Sequence, residues 1–519
     1  EYYDRGLSMY QELYGTVNHE HIAYAYAQLG VAHKKLDNLE RAGDCLERSE
    51  KMYDSFFDGD PHPDLAFVKE NIGELERQRS HFEEAIEASK SSLGMREELF
   101  GNHPHAYLAF SHDCIGRIYS DLQEFEMAIE HFERGLKIRK QVFDKSTSHP
   151  TIVSSHNLLS AVHLRIGSYD RALEHSQDSL RLNRQWFHGK SHSFTVYCLQ
   201  HVASIYRHMG NLKSASTHFH EALNLARQLN TRKCRQILTH LLTSIAQIQS
   251  QQRRYTEALA SYMGALEEVN RSGGPTSEVV DLLNAIGTVH RNMKNFNQAL
   301  KYHLTAFDKV NLLYQDEPHK VKASSYCNVG YDYDDLGNNE KAKYFLLMSW
   351  EQYRALSRDS ASTYLASVSQ QLSHVFRRLN IFDEALKYAG HNLSFSTELA
   401  GGKPSIYVAK CHKLIGDIRE QQQDYKQAIG SFKNSLNEYQ KLNTEKSELQ
   451  IAILHINIGR VHETLGHVLE AAESLSEALR VSRKPDGGER LFPRKISLLQ
   501  SDIARLITGW VTGPRSGHW

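Results

Sequence analysis

A single alanine that recurs at a nearly constant interval constrains the fold of this 519-residue chain more than any other feature. Successive copies are 43 residues apart, except for one interval of 44 and one of 41. Two further columns of small residues lie twelve residues before and seven residues after this alanine, and only Asn392 departs from them. Such periodicity predicts tandem copies of one small unit rather than several independent domains. The alanine column is Ala42, Ala85, Ala128, Ala172, Ala215, Ala258, Ala299, Ala342, Ala385, Ala428 and Ala471.

Each unit is predicted to be a pair of amphipathic helices joined by a short turn. The small residues allow the two backbones to approach closely where the helices cross, and an aromatic or aliphatic residue three positions before the alanine, such as Phe82 or Tyr169, closes the core between them. Only 10 residues are proline, which suits long uninterrupted helices. Because neither helix can bury its apolar face alone, the units must stack into a continuous α-solenoid.

These motifs resemble the tetratricopeptide repeat family. The third unit shows the resemblance most clearly, with Ile115-Gly116-x-x-Tyr119, Phe125-x-x-Ala128 and Phe132-x-x-Gly135. The period near 43 residues and the run Arg96-x-x-Leu99-Phe100-Gly101-Asn102-His103-Pro104 are similar to the kinesin-light-chain-like and nephrocystin-like subgroup. The resemblance implies an all-α fold, a right-handed superhelix of about eleven helix pairs.

The repeat pattern also predicts the organisation of the chain. Residues 1–22 read as the second helix of a truncated repeat, and residues 23–490 as eleven tandem repeats. Residues 491–507 are expected to form a capping helix and residues 508–519 a flexible tail, because the last segment is rich in glycine.

Composition and spacing argue against several classes of function. The formal net charge of −1 gives no global basic field of the kind that nucleic-acid binders use. No two of the six cysteines are closer than 36 residues, which disfavours zinc and redox sites and favours a reducing, cytoplasmic compartment. No stretch is apolar enough to predict a membrane span. Several of the 30 histidines, such as His163, replace an aromatic core residue, so we expect no metal, cofactor or catalytic residues.

In the family that the chain resembles, the first helix of each unit lines a concave groove. Counting from the first small-residue column, the groove positions of units four to nine give a column of amides beside an interrupted column of arginines. Amides can bond an extended peptide backbone, and arginine can bind carboxylates or phosphates bidentately. The predicted peptide-binding residues are Asn157, Arg165, Gln200, Arg207, His208, Asn284, Arg291, Asn328, Tyr331, Gln371, His374, Arg377 and Arg378.

The leading hypothesis is a non-catalytic scaffold that holds an extended segment of a partner protein in this groove. One version of that hypothesis is that the segment is acidic or phosphorylated. Asp334 and Asp335 argue against this version, because they interrupt the arginine column. The alternative is a sensor or autoinhibitory arm of a larger NTPase or other multidomain protein. Self-association through the ends of the array is a third option.

Overall fold

The computed structural model describes residues 2–15, 19–101, 103–143, 148–273, 276–315, 317–357, 361–442, 444–482, 501 and 503–504. This part of the chain contains helices and no strand, which confirms the predicted all-α solenoid. The helices are α1 (Tyr2–Tyr14), α2 (Glu20–Lys35), α3 (Leu39–Phe57), α4 (Pro63–Gln78), α5 (Phe82–Phe100), α6 (Ala106–Asp121), α7 (Phe125–Val142), α8 (Pro150–Ile166), α9 (Tyr169–Trp186), α10 (Ser193–His208), α11 (Leu212–Leu229), α12 (Arg232–Gln251), α13 (Tyr255–Ser272), α14 (Thr276–Asn292), α15 (Phe296–Tyr314), α16 (Lys320–Asp335), α17 (Asn339–Ser357), α18 (Thr363–Arg378), α19 (Phe382–Ala400), α20 (Ile406–Gln421), α21 (Tyr425–Leu442), α22 (Glu445–Thr464) and α23 (Val468–Ser482).

The chain divides into two compact units, residues 1–252 and 253–519. In the first unit the helices pack pairwise as α2/α3, α4/α5, α6/α7, α8/α9 and α10/α11, and in the second as α14/α15, α16/α17, α18/α19, α20/α21 and α22/α23. We call the earlier member of each pair the first helix and the later one the second helix. By the same alternation α12 is a first helix and α13 a second helix, and the division between the units falls between them.

The small-residue columns lie where the two helices of a pair cross. All eleven alanines of the central column are fully buried. A Cβ atom on Gly116 would lie 2.7 Å from the Phe132 ring, and one on Gly416 would lie 2.5 Å from the Phe432 ring. A side chain at either position would clash with the phenylalanine ring of the second helix, which is the reason that these two positions are glycine.

The third small-residue column fixes the same crossing with a hydrogen bond. Four of its five serines donate their hydroxyl to the backbone carbonyl oxygen of the residue 26 positions earlier, at 2.7–2.8 Å. The pairs are Ser49 with Ala23, Ser92 with Ala66, Ser349 with Ala323 and Ser435 with Ala409. A small residue at this position thus closes the gap between the second helix and its partner.

Most first helices begin at a histidine cap. In six of them the histidine Nδ1 accepts the backbone N–H two residues later, which satisfies one of the unpaired donors of the first turn. An aromatic residue from the preceding second helix stacks on each of these rings, with centroids 3.6–3.9 Å apart. The caps are His19, His62, His105, His149, His192 and His319.

The structure describes the start of the array but little of its predicted end. The first helix of the first repeat begins at Glu20, capped by His19, three residues before the predicted start of the array. Helix α1 contacts α2 but buries none of its own residues. The predicted capping helix at 491–507 and tail at 508–519 lie outside the described residues apart from 501, 503 and 504.

Candidate functional site

In each of the two units the candidate site is the layer formed by its first helices, which we call the first-helix face. Within each unit, first helices of successive repeats contact one another directly. Examples are α4 with α6 in the first unit and α14 with α16 in the second. Second helices of successive described repeats do not contact one another to that extent. The predicted peptide-binding residues lie on α8 and α10 in the first unit and on α14, α16 and α18 in the second.

In the first unit, arginine side chains link one first helix to the next. The Arg165 guanidinium donates to the backbone oxygen and the hydroxyl of Ser120, at 2.7 and 2.8 Å, and lies 5.1 Å from the centre of the Phe125 ring. Arg207 donates to the side-chain oxygen of Gln247 at 2.6 Å. These bonds join residues 40–45 positions apart, which is one repeat.

In the second unit, Arg291 and Tyr331 form the centre of a similar set of links. The Arg291 guanidinium lies 5.1 Å from the centre of the Tyr331 ring, and its Nε is 3.7 Å from Asp335 Oδ2. The Tyr331 hydroxyl shares a hydrogen bond of 3.1 Å with Ser367. Burial raises the pKa of Tyr331 well above its usual value, so this hydroxyl stays protonated.

Asp334 gathers two further predicted residues. Its carboxylate accepts from the Gln371 amide at 2.7 Å and forms an ion pair with Arg378. The sequence had placed Asp334 as an interruption of the arginine column, whereas the structure makes it the partner of an arginine one repeat later. Together with the Arg291–Asp335 pair, this contact neutralises part of the positive charge of the face from within.

Two of the predicted arginines have no carboxylate partner among the described residues. One is Arg207, whose bonded partner Gln247 is neutral. The other is Arg377, whose Nε is buried without a hydrogen-bond partner. Arg377 also borders an open cavity with Lys413, Asp417 and Arg460.

The amide column keeps unused hydrogen-bonding capacity. Asn157 Oδ1 and Gln200 Oε1 are buried and accept no hydrogen bond from the described part of the chain. In the second unit, Asn328 donates to the side-chain oxygen of Asn284 at the long distance of 3.4 Å. A buried acceptor without a donor costs roughly 1–3 kcal/mol, so an N–H group would bind favourably there once the amide turns toward the surface.

The two predicted histidines differ in their surroundings. His208 is exposed and its ring lies 6.2 Å from that of Tyr169. His374 lies close to Arg377 and Arg378, and burial followed by these two charges lowers its pKa. His374 is therefore neutral at pH 7 and does not add to the charge of the face.

Among the described residues, neither the cysteine thiols nor the possible metal ligands form an evident reactive site. All six cysteines are buried and free, and burial raises the pKa of Cys327 to about 11. Glu20, His62 and Asp64 bring their ligand atoms within 4.8 Å of one another, but the His62 Nδ1 is already used as a helix cap. Among the described helices, none is both long and apolar enough to cross a membrane.

The sequence reasoning missed a cavity between α18, α19 and α20. Its volume is about 510 Å³ and it is bordered by Ala366, Asn392, Ser396 and Cys411. The signal for it was present in the sequence, because Asn392 is the one residue that breaks the third small-residue column.

Comparisons with known proteins agree with this architecture. One family model described as tetratricopeptide repeat matches residues 106–185 and 151–228, and a second model with the same description matches residues 23–55. A model described as anaphase-promoting complex subunit 5 matches residues 417–492. No curated protein sequence matches the chain significantly.

Solved structures are similar in fold and distant in sequence. The apo form of RapI is 16% identical, with a TM-score of 0.51, and the match covers 73% of this chain and 99% of that one. A signal transduction ATPase with a tetratricopeptide repeat sensor from Pyrococcus horikoshii is 14% identical, with a TM-score of 0.49, covering 76% of this chain and 52% of that one. A putative kinesin light chain from Podosopora anserina is 15% identical over 40% of this chain and 96% of that one, with a TM-score of 0.36. Tetratricopeptide repeats are therefore shown at residues 23–55 and 106–228, and the same small-residue columns and paired helices continue through the other described repeats.

Proposed function

We propose that the chain is a non-catalytic scaffold that holds an extended segment of a partner protein against its first-helix face. The observation that carries the proposal is that two kinds of polar group on that face lack their complementary partner. Asn157 and Gln200 keep amide oxygens without donors, and Arg207 and Arg377 keep guanidinium groups without carboxylate partners. An extended peptide supplies the matching chemistry, because its backbone presents N–H and C=O groups along its whole length.

The charge of the partner follows from the same contacts. Arg291 and Arg378 face Asp335 and Asp334, so they attract a further anion less than isolated arginines would. We therefore propose that the segment is largely neutral, with acidic side chains only where they reach Arg207 or Arg377. Binding energy spread over several repeats also predicts a few strong contacts among many weak ones.

The test uses charge reversal with a matched control. A displayed library of random twelve-residue peptides is selected on the wild type and then bound to Arg207→Glu, to Arg377→Glu and to the double variant. The control is Arg181→Glu/Arg271→Glu, which changes the same charge on exposed second-helix positions. Circular dichroism first shows that all variants are equally helical.

We expect selected peptides that bind the control like the wild type and bind the double variant at least tenfold more weakly. The single variants report on the two units separately, because Arg207 and Arg377 lie in different units. A library that yields no binder, or binders equally retained by the double variant, would reject the first-helix face as the site.

A further inference from the structure

The position of Asn392 is unusual for its column. At the equivalent place in the other repeats stands glycine, alanine or serine, and four of those serines bond the backbone carbonyl 26 residues earlier. Asn392 makes no such bond with Ala366. Its side-chain oxygen accepts instead from the Ser396 hydroxyl, one turn further along α19, at 3.3 Å.

The larger side chain leaves a gap between the helices. Ala366 is 9% exposed, whereas its counterparts Ala23, Ala66, Ala323 and Ala409 are 0% exposed. The cavity of about 510 Å³ lies at this point. Asn392 therefore props open a crossing that the other repeats close with a small residue.

The floor of the cavity is polar and almost completely buried. Asn392, Ser396 and Cys411 are 3%, 5% and 2% exposed. The Cys411 thiol donates to the Ser396 hydroxyl at 3.7 Å, and the Asn392 amide lies beside the Cys411 sulfur. An amide nitrogen carries two hydrogens, and Cys411 can accept only one of them, so a donor remains for an occupant.

The walls determine which occupant fits. None of the residues that line the cavity is charged. Leu399 and Tyr407 stand at its border and are 49% and 70% exposed. A cavity of this size with mainly apolar walls and a few convergent polar groups is the usual form of a ligand pocket. A charged occupant would lose its hydration without a counter-ion, so the occupant is uncharged.

The cavity also adjoins the first-helix face. Ser367 borders it, and the hydroxyl of Ser367 bonds Tyr331, one of the predicted peptide-binding residues, at 3.1 Å. A segment that lies along α16 and α18 would therefore pass its entrance.

We propose that this cavity is an anchor pocket for an uncharged aromatic side chain with a polar tip, of the tyrosine kind, on the bound segment. The ring fills the space between Ala366 and Leu399, and the phenol oxygen accepts from the Asn392 amide. The proposal rests on the proposed function, since it names the anchor of the same segment.

The probe for the pocket is p-cresol, which is the tyrosine side chain alone, and the negative comparator is p-toluate. The variant is Asn392→Ser, which restores the residue found in five other repeats and so closes the crossing without threatening the fold. The matched control is Asn434→Ser at an exposed position of α21. Binding is measured by saturation-transfer NMR titration.

We expect saturable p-cresol binding to the wild type and the control, and at least tenfold weaker p-cresol binding to Asn392→Ser. None of the three proteins should bind p-toluate. Equal p-cresol binding to all three proteins, no saturable binding to the wild type, or equal binding of p-toluate would each overturn the pocket.

A second arm separates this proposal from the proposed function. Peptides selected on the wild type should contain a tyrosine whose replacement by alanine costs at least tenfold on the wild type and less than threefold on Asn392→Ser. Peptides that bind the first-helix face without any such dependence on Asn392 would leave the scaffold function standing and refute the anchor. If p-cresol binds through Asn392 but no peptide binds at all, the occupant is a free phenolic compound, and both the anchor and the scaffold function are wrong.

Discussion

The guanidinium of Arg139 holds the buried carboxylate of Asp113 through two parallel hydrogen bonds, Nη1 to Oδ1 at 3.0 Å and Nη2 to Oδ2 at 2.7 Å. Arg139 is 5% exposed and Asp113 is 3% exposed. Arg139 also donates to the Ser155 hydroxyl at 2.6 Å, so one side chain ties α6, α7 and α8 together. Arg96 and Glu70 repeat the arrangement one repeat earlier, at 2.6 Å.

Breaking this pair from one side should destabilise the first unit strongly. Asp113→Asn leaves a buried guanidinium without its counter-ion, and we expect a loss of about 3–5 kcal/mol. Asp113→Asn/Arg139→Asn copies the residues of the next repeat, Asn157 and Asn183, and should cost clearly less. Urea unfolding followed by circular dichroism at pH 7 measures both. A double variant as unstable as the single one would show that the charge pair is not the cause.

Removing the carboxylate of Asp334 should make the first-helix face more attractive to acids. Asp334→Asn releases Arg378, which is 45% exposed and can be hydrated, so stability should change by less than about 1 kcal/mol. The affinity for a labelled hexaglutamate peptide should rise several-fold at 50 mM salt and much less at 300 mM. Fluorescence anisotropy gives both values. Asp178→Asn on α9 removes an exposed carboxylate that pairs with Arg181 on the second helix and should leave the affinity unchanged.

The buried histidine pairs predict loss of stability in mild acid. His112 and His131 share a hydrogen bond of 3.0 Å between their Nδ1 atoms, and burial, followed by the charges of His131 and Arg134, lowers the pKa of His112 to about 4. The unfolded chain takes up this proton near pH 6.5 and the folded chain near pH 4. The stabilisation is therefore complete above pH 6.5 and falls by about 3 kcal/mol as the pH drops toward 4.

Urea midpoints between pH 7.5 and pH 5 test this pH dependence. His112→Gln should flatten the curve, and His156→Gln should do the same, because His156 and His175 form an equivalent pair and the pKa of His156 is also lowered to about 4. The exposed His220→Gln is the control and should leave the slope as in the wild type. An unchanged slope in His112→Gln would contradict the prediction.

The histidine caps should contribute through both the ring nitrogen and the ring face. His105 accepts the backbone N–H of Tyr107 at 3.3 Å and stacks on Phe100 at 3.9 Å. His105→Ala loses both contacts and should cost about 1–2 kcal/mol. His105→Ser, which copies the caps Ser362 and Ser405, keeps an acceptor and should cost less. Thermal melting compares them, and equal losses would mean that the cap bond contributes nothing.

The fold could be predicted from the sequence because the repeat columns report directly on backbone distance. A position that is small in repeat after repeat, such as Ala128 or Gly116, marks a crossing where a large side chain does not fit. Averaging over eleven units removes the ambiguity that one unit would leave. Histidine caps were less visible, because a histidine before a helix has no distinctive pattern until its stacked aromatic partner is known.

The candidate site was harder to predict from the sequence than the fold, for a physical reason. Whether Asp334 interrupts a positive column or neutralises it depends on the rotation of α18 relative to α16. Asp334 and Arg378 are 44 positions apart, so only the three-dimensional structure shows that they form an ion pair. The broken column at Asn392 was visible, but the sequence could not show whether the larger side chain is absorbed by packing or opens a cavity. The thirteen predicted residues remain predictions of the peptide site.

Among the described helices of each unit, the substantial contacts join only neighbouring helices or those next but one. Tension applied along such an array is carried by one repeat interface after another, and each interface can part without disturbing those further away. Extension then proceeds in small steps of one repeat, and the released repeats can dock again when the load falls. Such an array yields to load gradually, one repeat interface at a time, instead of unfolding all at once.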